Sequence, residues 1–343
     1  MDSAKKIYIF LIIITTVVIL IYAQSIIIPF ILAILFWFLI RVIKKLLRKV
    51  KYIGNWPKWI LTLISLAFLL GILVFIIQLI TQNIQQLSQT LPVYEANINK
   101  MTNAINARFN IDIGTILTDM TEDFKFGGML TGLFSALTGI FGDAFTVLLY
   151  LVFLLLEEPI FPKKIRAMYP DQEKFNHINA LIGKIDHSIG SYIALKTVVS
   201  LVTGFLSYFA LLFIGVDAPV FWAFLIFVLN FIPTIGSLIA TLFPAIFALL
   251  QFGEFTPGIL VLAIVGTIQL IVGNFIEPRV MGNSLNISPL VVFLTLAIWG
   301  VIWGITGMLL SVPITVILII VMSEFPSTQP LAILLSQKGS INK

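Results

Sequence analysis

The chain has 343 residues, of which 59% are hydrophobic and only 11% charged, and its formal net charge is +5. A water-soluble domain is usually about half apolar and about a quarter charged, so this composition excludes an ordinary soluble protein. The sequence contains no cysteine, which also excludes disulfides, thiolate metal sites and a cysteine nucleophile. Long, unbroken apolar runs predict an all-α, polytopic membrane protein, because a β-barrel needs short segments of alternating hydrophobicity.

Membrane spans are predicted wherever about 20 apolar residues follow one another. The first run follows Lys5 and Lys6 like a signal peptide, but no small-residue cleavage site follows it, so an uncleaved span is expected. The single spans are predicted over Ile7–Tyr22, Ile26–Ile40, Trp59–Ile80, Leu130–Leu156, Ser191–Ile214 and Pro257–Ile276. Two further apolar blocks, Pro219–Phe252 and Pro289–Met322, are too long for one span and short for two.

The distribution of Lys and Arg predicts the orientation, since cytoplasmic loops carry an excess of both. Only three of the 21 basic residues, Lys100, Arg108 and Lys125, lie in residues 81–126. Residues 41–58 alone carry seven basic residues and no acid. If the spans alternate in direction, the other basic residues share one side, which we assign to the cytoplasm. Both termini are then cytoplasmic and residues 81–126 are external.

Three regions follow from this topology. Residues 1–80 are expected to hold N-terminal spans and a basic cytoplasmic loop, residues 81–126 an external amphipathic helical segment, and residues 127–343 the core with the two long apolar blocks 219–252 and 289–322. A helix that leaves the bilayer after residue 80 is expected to end at Pro92. Its apolar stripe needs a partner, either within the chain or on another subunit; the stripe comprises Ile80, Ile84, Leu87 and Leu91. Residues 163–190 predict a helix on the cytoplasmic membrane surface.

Each long apolar block is interrupted near its middle, at "NFIPTIGS" (Asn230–Ser237) in residues 219–252 and at "WGVIWGITG" (Trp299–Gly307) in residues 289–322. The arm Pro219–Ile232 would form about 21 Å of helix, shorter than the ~30 Å hydrocarbon core. The blocks resemble each other loosely, and one span separates them, so they enter from opposite faces. This pattern predicts two inverted re-entrant helical hairpins that meet near a solute site. Kinked full spans in place of the two hairpins, giving about eight spans in total, are the alternative.

A charged stretch, "EPR", sits at the cytoplasmic end of the last single span. Pro278 is expected to end that helix. On spacing alone, Glu277 and Arg279 form a pair at the membrane interface. A functional alternative is that they gate the cytoplasmic side or anchor the entry of the second hairpin.

Candidate binding or gating residues cluster at the two interruptions and around this charged stretch. Their hydroxyl and amide groups can hydrogen-bond a polyhydroxylated solute, and for each one a helix–helix hydrogen bond is the alternative. The set comprises Asn230, Pro233, Thr234, Gly236, Ser237, Gln269, Asn274, Glu277, Pro278, Arg279, Gly282 and Gly307, with Ser284 and Asn286 beside them.

These features favour a transporter of a small polar solute over the alternative, a sodium(lithium)/proton antiporter. Antiport normally needs membrane-embedded carboxylates, and no acid lies clearly at the middle of a predicted span. An intramembrane enzyme is disfavoured because no embedded catalytic or metal-ligand cluster is evident. The sequence also lacks a P-loop motif, so transport driven directly by ATP is not expected. No cofactor, metal or nucleic-acid partner is expected.

The order of segments, with "FIPTIGSLIATLFPAIFAL" and "IVGNFIEPRVMGNSLNISPL", resembles the autoinducer-2 exporter (AI-2E) family of bacterial transporters. The resemblance implies a homo-oligomer, expected to be a pentamer, in the bacterial cytoplasmic (inner) membrane with an elevator-like mechanism. Family members are linked to export of the quorum-sensing signal autoinducer-2, and some to sodium/proton antiport. This chain departs from the family pattern at Thr234, where an aromatic is usual, at Ser237, where a proline is usual, and at Asn286–Pro289, where Gly-Leu-His-Pro is common. These departures fall where substrate or gating contacts are expected.

Overall fold

A computed structural model describes residues 3–109, 144–281 and 286–339, and the regular secondary structure in these ranges is helical, which confirms the all-α fold class. In chain order the helices are α1 (Ser3–Tyr22), α2 (Gln24–Leu47), α3 (Lys58–Phe109), α4 (Ala144–Glu157), α5 (Phe161–Met168), α6 (Gln172–Ile214), α7 (Pro219–Leu229), α8 (Ile235–Phe252), α9 (Phe255–Ile271), α10 (Glu277–Met281), α11 (Pro289–Glu324) and α12 (Gln329–Leu335). A π-helical segment, Val272–Ile276, joins α9 to α10.

Within the described ranges, six helical segments are long and apolar enough to cross a membrane, as expected for a polytopic protein. They are Gln24–Leu47, Lys58–Asn83, Gln172–Ile214, Ile235–Phe252, Phe255–Val280 and Pro289–Glu324. Helices α4 and α5 pass the same test together, with a bend of 65° between them, as either a broken span or a re-entrant loop, and the shorter apolar helices are Phe10–Tyr22 and Pro219–Leu229. The predicted span Leu130–Leu156 is described only from Ala144 onward.

Two helices run further than the sequence predicts. Helix α3 does not end at Pro92 but continues to Phe109, because a proline removes only one backbone donor and the helix resumes beyond it. Residues 163–190 do not form one separate helix. They are divided between α5 and α6, and α6 continues to Ile214, so its polar first half and apolar second half belong to one helix.

The chain divides into two compact units, whose described parts are residues 3–66, 144–194 and 286–339 in unit 1 and residues 67–109 and 195–281 in unit 2. In unit 1, α2 packs along α4, with the rings of Phe30 and Tyr150 edge to face at 5.7 Å. The indole of Trp303 donates to the carbonyl oxygen of Leu20 at 2.9 Å, which ties α11 to the end of α1.

Helix α11 is broken inside unit 1. Trp303 and Gly304 leave helical geometry there, and Gly304 has φ +60° and ψ −141°, a conformation accessible essentially only to glycine. The predicted interruption of residues 289–322 is therefore present.

Unit 2 is built around the short, wholly apolar helix α7. Phe221, Trp222, Leu225 and Ile226 have no exposed surface, and the Trp222 ring lies 5.0 Å from the ring of Phe247 on α8. A helix that is apolar on all sides belongs either in a protein core or in a membrane. At 11 residues, α7 is about 16 Å long and too short to cross a bilayer.

The C-terminal part of α3 has an intrachain partner in unit 2. The ring of Tyr94 packs edge to face on Phe247 at 5.3 Å, and Asn97 Nδ2 donates to the carbonyl oxygens of Leu250 and Gln251 at 2.9 Å each. Asn97 thereby satisfies carbonyls that the end of α8 leaves free. Ile80, the first residue of the predicted stripe, is also buried within the chain.

Candidate functional site

The turn between α7 and α8 carries a strained threonine. Thr234 has φ +61° and ψ −59°, and the amide of Ile235 donates to the carbonyl oxygen of Pro233 at 2.6 Å. This is a γ-turn of the rare positive-φ type, which is strained for a β-branched residue. Such strain persists only where the surrounding structure imposes it, and it concentrates at functional sites. Thr234 itself is exposed.

Gly236 makes the close return of the chain possible. A Cβ at this position would overlap the carbonyl oxygen of Leu229, the last residue of α7. Gly307 in unit 1 has the same relationship to the carbonyl oxygen of Trp299 across the break in α11. Both predicted interruptions thus depend on a glycine that lies against the end of the preceding arm.

Helix α6 presents a buried polar face inside unit 2. Lys196, Ser200, Thr203 and Ser207 follow one another at spacings of 4, 3 and 4, which places them on one side of the helix. All four are buried, at 3% exposure for Lys196 and none for the others. Asn230 Nδ2, at the end of α7, donates to Ser200 Oγ at 3.1 Å. One predicted site residue is therefore held by a residue that the sequence analysis did not select.

Lys196, one helical turn before Ser200 on α6, forms an ion pair with Glu277. The lysine side chain is 4% exposed and the glutamate 22%. The expected interfacial pair of Glu277 and Arg279 does not form. Both residues lie in the helix α10, where side chains two positions apart point to different sides and cannot meet. Arg279 is exposed, while Glu277 turns to α6.

Pro278 does not end the helix as predicted. The turn before it widens into the π-helical segment Val272–Ile276, and the amide of Glu277 donates to the carbonyl oxygen of Val272, five residues back. The wider turn accommodates the proline, whose ring clashes with a carbonyl four residues earlier in a regular helix. Single π-turns inside α-helices occur frequently at functional sites. Asn274 lies in this segment and is exposed.

Gln269 lies level with the strained turn. Helices α8 and α9 are joined by a short connection and run antiparallel. A Cβ added to Gly266 of α9 would lie 3.7 Å from the Cγ2 methyl of Thr241 on α8. Three residues further along α9, Gln269 is therefore level with the first turn of α8, which holds Ser237. Its Nε2 is buried and has no hydrogen-bond partner in the described part of the chain. Buried amide donors are nearly always hydrogen-bonded, so this unpaired donor makes Gln269 a candidate contact for a polar ligand or water.

The predicted set therefore separates into groups. Asn230, Gly236, Gln269 and Glu277 are at least partly buried in unit 2, and Ser237 Oγ donates to the carbonyl oxygen of Thr234 at 2.8 Å. Pro233 is half-buried in the same turn, whereas Asn274, Pro278 and Arg279 are exposed in the chain. Gly307 belongs to unit 1, and Gly282 and Ser284 lie outside the described residues.

The sequence analysis missed the polar face of α6. The distribution of Lys and Arg places Lys196 only among the basic residues assigned to the cytoplasmic side. The detectable signal was the 4, 3, 4 spacing of polar residues within an otherwise apolar helix, which predicts a buried polar face in a membrane span.

Comparison with known proteins places these features in a family. Residues 8–327 match the family model described as AI-2E family transporter. The AI-2 transport protein TqsA of Escherichia coli strain K12 is 34% identical over 321 residues, covering 92% of this chain and 90% of TqsA. A relative from Borreliella burgdorferi, whose name refers only to transport, is 35% identical and covers 69% of the chain and 66% of its own length. A more distant relative, the sodium-lithium/proton antiporter of Halobacillus andaensis, is 24% identical over 68% of the chain and 67% of its own length.

Proposed function

The chain belongs to the AI-2E family of transporters, and on that premise we propose that it exports a small polar solute across the bacterial cytoplasmic membrane, with autoinducer-2 as the candidate cargo. The observation that carries the proposal is the polar region of unit 2 around the strained turn. Asn230, Ser200 and Gln269 supply uncharged amide and hydroxyl groups there. Such groups bind a polyhydroxylated molecule without requiring a charge on it.

The candidate binding site is assigned to the turn Asn230–Ser237 together with Gln269 of α9. The strained Thr234 and the close approach at Gly236 support this assignment, because a chain that bends sharply inside an apolar block exposes backbone groups that a solute or water must satisfy. Gly307 and the break in α11 are the proposed counterpart in unit 1. Asn274, Pro278, Arg279 and Gly282 are proposed as gating positions.

An elevator-like mechanism is proposed with this site. In such a mechanism one compact part of the chain carries the solute while another remains fixed in the membrane. The division of the described chain into two compact units supports the idea, and the turn Asn230–Ser237 and Gln269 belong to one of them.

Transport into everted membrane vesicles or proteoliposomes tests the proposal. Gln269→Leu removes the buried amide while keeping similar bulk, and it is expected to reduce autoinducer-2 transport roughly 5- to 150-fold, because a site that hydrogen-bonds a solute loses about 1–3 kcal/mol per lost partner. Thr267→Val is the matched control, since Thr267 is exposed on the same helix and donates only to its own backbone at Ala263. Wild-type vesicles that move no autoinducer-2 would remove this cargo from the proposal.

Sodium(lithium)/proton antiport is the second candidate, and one observation favours it. Glu277 is a carboxylate inside the helical segment Phe255–Val280 and pairs with the buried Lys196. Ionisable residues within membrane segments commonly take part in ion pathways. The relative from Halobacillus andaensis is named as such an antiporter. Sodium-driven proton movement in proteoliposomes that is lost in Glu277→Gln, with no transport of polar solute by the wild type, would support antiport instead.

We also propose a homo-oligomer, with a pentamer expected, whose termini are cytoplasmic. The multi-pass character of the chain and its bacterial transporter relatives support a membrane location in contact with lipid. The scarcity of Lys and Arg in residues 81–126 supports the orientation.

A further inference from the structure

Unit 1 contains a cleft of about 760 Å³ where the end of α2 and the start of α3 lie near α4 and α6. Six cationic side chains line it: Arg41, Lys44, Lys45, Arg48, Lys49 and Lys58. Two carboxylates, Glu158 and Asp186, also line it. None of the residues that line the cleft belongs to the candidate solute site.

The floor of the cleft is electrically balanced. Arg41 pairs with Asp186 and, at 3.6 Å, with Glu158, while Lys44 Nζ lies 3.2 Å from the second oxygen of Glu158. Arg41 also lies over the ring of Trp37, whose indole donates to Glu158 at 3.2 Å. Two cations and two carboxylates therefore neutralise one another, and their many partners hold the floor in place.

The rim carries uncompensated positive charge. Lys45, Arg48, Lys49 and Lys58 are exposed, and none of them forms an ion pair with a residue that the structure describes. Four like charges around one concave surface raise the local potential and attract an anion. The positive-inside rule accounts for the number of cations in this loop, but it does not require them to surround a cleft.

The loop between α2 and α3 is wound into consecutive turns, so the rim is preorganised. The amide of Val50 donates to Leu47 at 3.1 Å, that of Gly54 to Val50 at 2.8 Å, and that of Trp56 to Ile53 at 3.0 Å. A Cβ at Gly54 would overlap the carbonyl oxygen of Arg48, so this compact path requires glycine. A fixed loop loses little conformational entropy when it binds a ligand.

The surroundings of the cleft are those of a membrane–water interface. Tyr52, Trp56 and Trp59 are exposed in the same stretch of chain as Lys49 and Lys58, and Tyr and Trp are enriched at the level of lipid headgroups. Exposed Leu46 and Val50 lie beside the cations, and Leu46 also lines the cleft. An apolar surface next to uncompensated cations fits a ligand that combines a phosphate with hydrocarbon.

We infer that this cleft binds the phosphate headgroup of an anionic phospholipid. Lys45, Arg48, Lys49 and Lys58 contact the phosphate oxygens, and Leu46 contacts the start of the acyl chains. A headgroup with two phosphates, such as that of cardiolipin, matches the four uncompensated cations better than one with a single phosphate. Basic pockets between helices on the cytoplasmic side of membranes bind such headgroups in general.

The test uses the purified full-length protein in a neutral mild detergent and measures the rise in melting temperature on adding cardiolipin, phosphatidylglycerol or phosphatidylcholine. Cardiolipin is expected to stabilise the wild type most and phosphatidylcholine least. The triple variant Lys45→Gln, Arg48→Gln, Lys49→Gln should weaken the apparent affinity for cardiolipin roughly 100-fold, since each cation near an anionic lipid contributes about fivefold. Exposed side chains are replaced, so the variant is expected to remain folded, which its own melting curve without lipid verifies.

A matched control removes the same charge elsewhere on unit 1. Lys51, Lys163 and Lys174 are exposed and do not line the cleft, so their triple change to Gln should leave cardiolipin binding within about twofold of the wild type. Equal losses in the two triple variants would overturn the inference in favour of general charge attraction. Equal stabilisation of the wild type by phosphatidylcholine would also overturn it. Stabilisation by inorganic phosphate or glycerol phosphate at the concentrations at which cardiolipin acts would identify a soluble phosphate compound as the ligand instead.

Discussion

Lys196 of α6 and Glu277 of α10 are 81 residues apart in the sequence, yet they form an ion pair whose lysine is almost fully buried. The pair joins two helices of unit 2 beside the hydrogen bond from Asn230 to Ser200. A buried charge is tolerated only with a partner, because removing it from water costs several kcal/mol. The position of α10 relative to α6 therefore depends on both residues.

The first prediction concerns this pair. Lys196→Met leaves Glu277 without its cation and should destabilise the protein by about 3 kcal/mol, at the low end for a buried pair because the glutamate is partly exposed. Exchanging the charges, Lys196→Glu with Glu277→Lys, should restore more of the melting temperature and transport rate than either single change. Arg279→Gln is the control and should have little effect on stability, since Arg279 is exposed and unpaired with Glu277. A swap no better than the single changes would show that the pair does not act as a unit.

The second prediction concerns the glycines at the two breaks. Gly236→Ala and Gly307→Ala place a methyl group against a backbone carbonyl, which forces the chain apart at a cost of about 1–3 kcal/mol. Both variants are expected to assemble in the membrane but to lose most transport. Gly273→Ala is the control, because nothing lies within 4 Å of its Cβ position. Full transport by Gly236→Ala would remove the tight turn from the mechanism.

The third prediction concerns the strain at Thr234. Thr234→Gly relieves about 1–3 kcal/mol of backbone strain in the folded protein. Glycine also gives the unfolded chain more conformational freedom, which offsets about 0.5–1 kcal/mol of this effect, so the free energy of unfolding should rise by about 1 kcal/mol. If the strain serves transport, the melting temperature rises while the transport rate falls. Thr234→Ala keeps a positive φ without β-branching and should lie between the two proteins. A faster transport rate in Thr234→Gly would contradict a functional role for the strain.

The fourth prediction concerns topology. The natural chain lacks cysteine, so single-cysteine variants give an unambiguous label. Ser88→Cys should react with a membrane-impermeant maleimide in intact cells, because residues 81–126 hold few basic residues. Asn55→Cys, in the exposed basic loop, should react only after the membrane is opened. The reverse pattern would invert the proposed orientation.

The fifth prediction concerns assembly. The protein is expected to migrate as a homo-oligomer, with a pentamer as the main species, when its mass is measured by light scattering in mild detergent. Ile80 finds its contacts within the chain, so this expectation depends on the family resemblance more than on the stripe that begins there. A monomer at every protein concentration would count decisively against it.

Local features of the sequence were sufficient for the fold class and the breaks. Apolar run length determines which segments can cross a bilayer, because each backbone polar group must be satisfied within its own helix there. The interruptions around Pro233 and Gly304 were visible for the same reason, since proline and glycine act on the backbone where they stand. Family membership was also visible in the motifs that contain these residues.

Tertiary structure alone decided which polar groups meet. Whether Glu277 pairs with Arg279 or with Lys196 depends on how α10 faces α6, and no periodicity within either segment specifies that contact. The same holds for Asn230 with Ser200 and for Asn97 with the end of α8, because such bonds join residues 30 and 153 positions apart. Composition and spacing thus determined that this chain lies in a membrane and where it bends. Only packing determined its buried polar contacts, because a side chain in an apolar interior takes whichever partner the neighbouring helix presents.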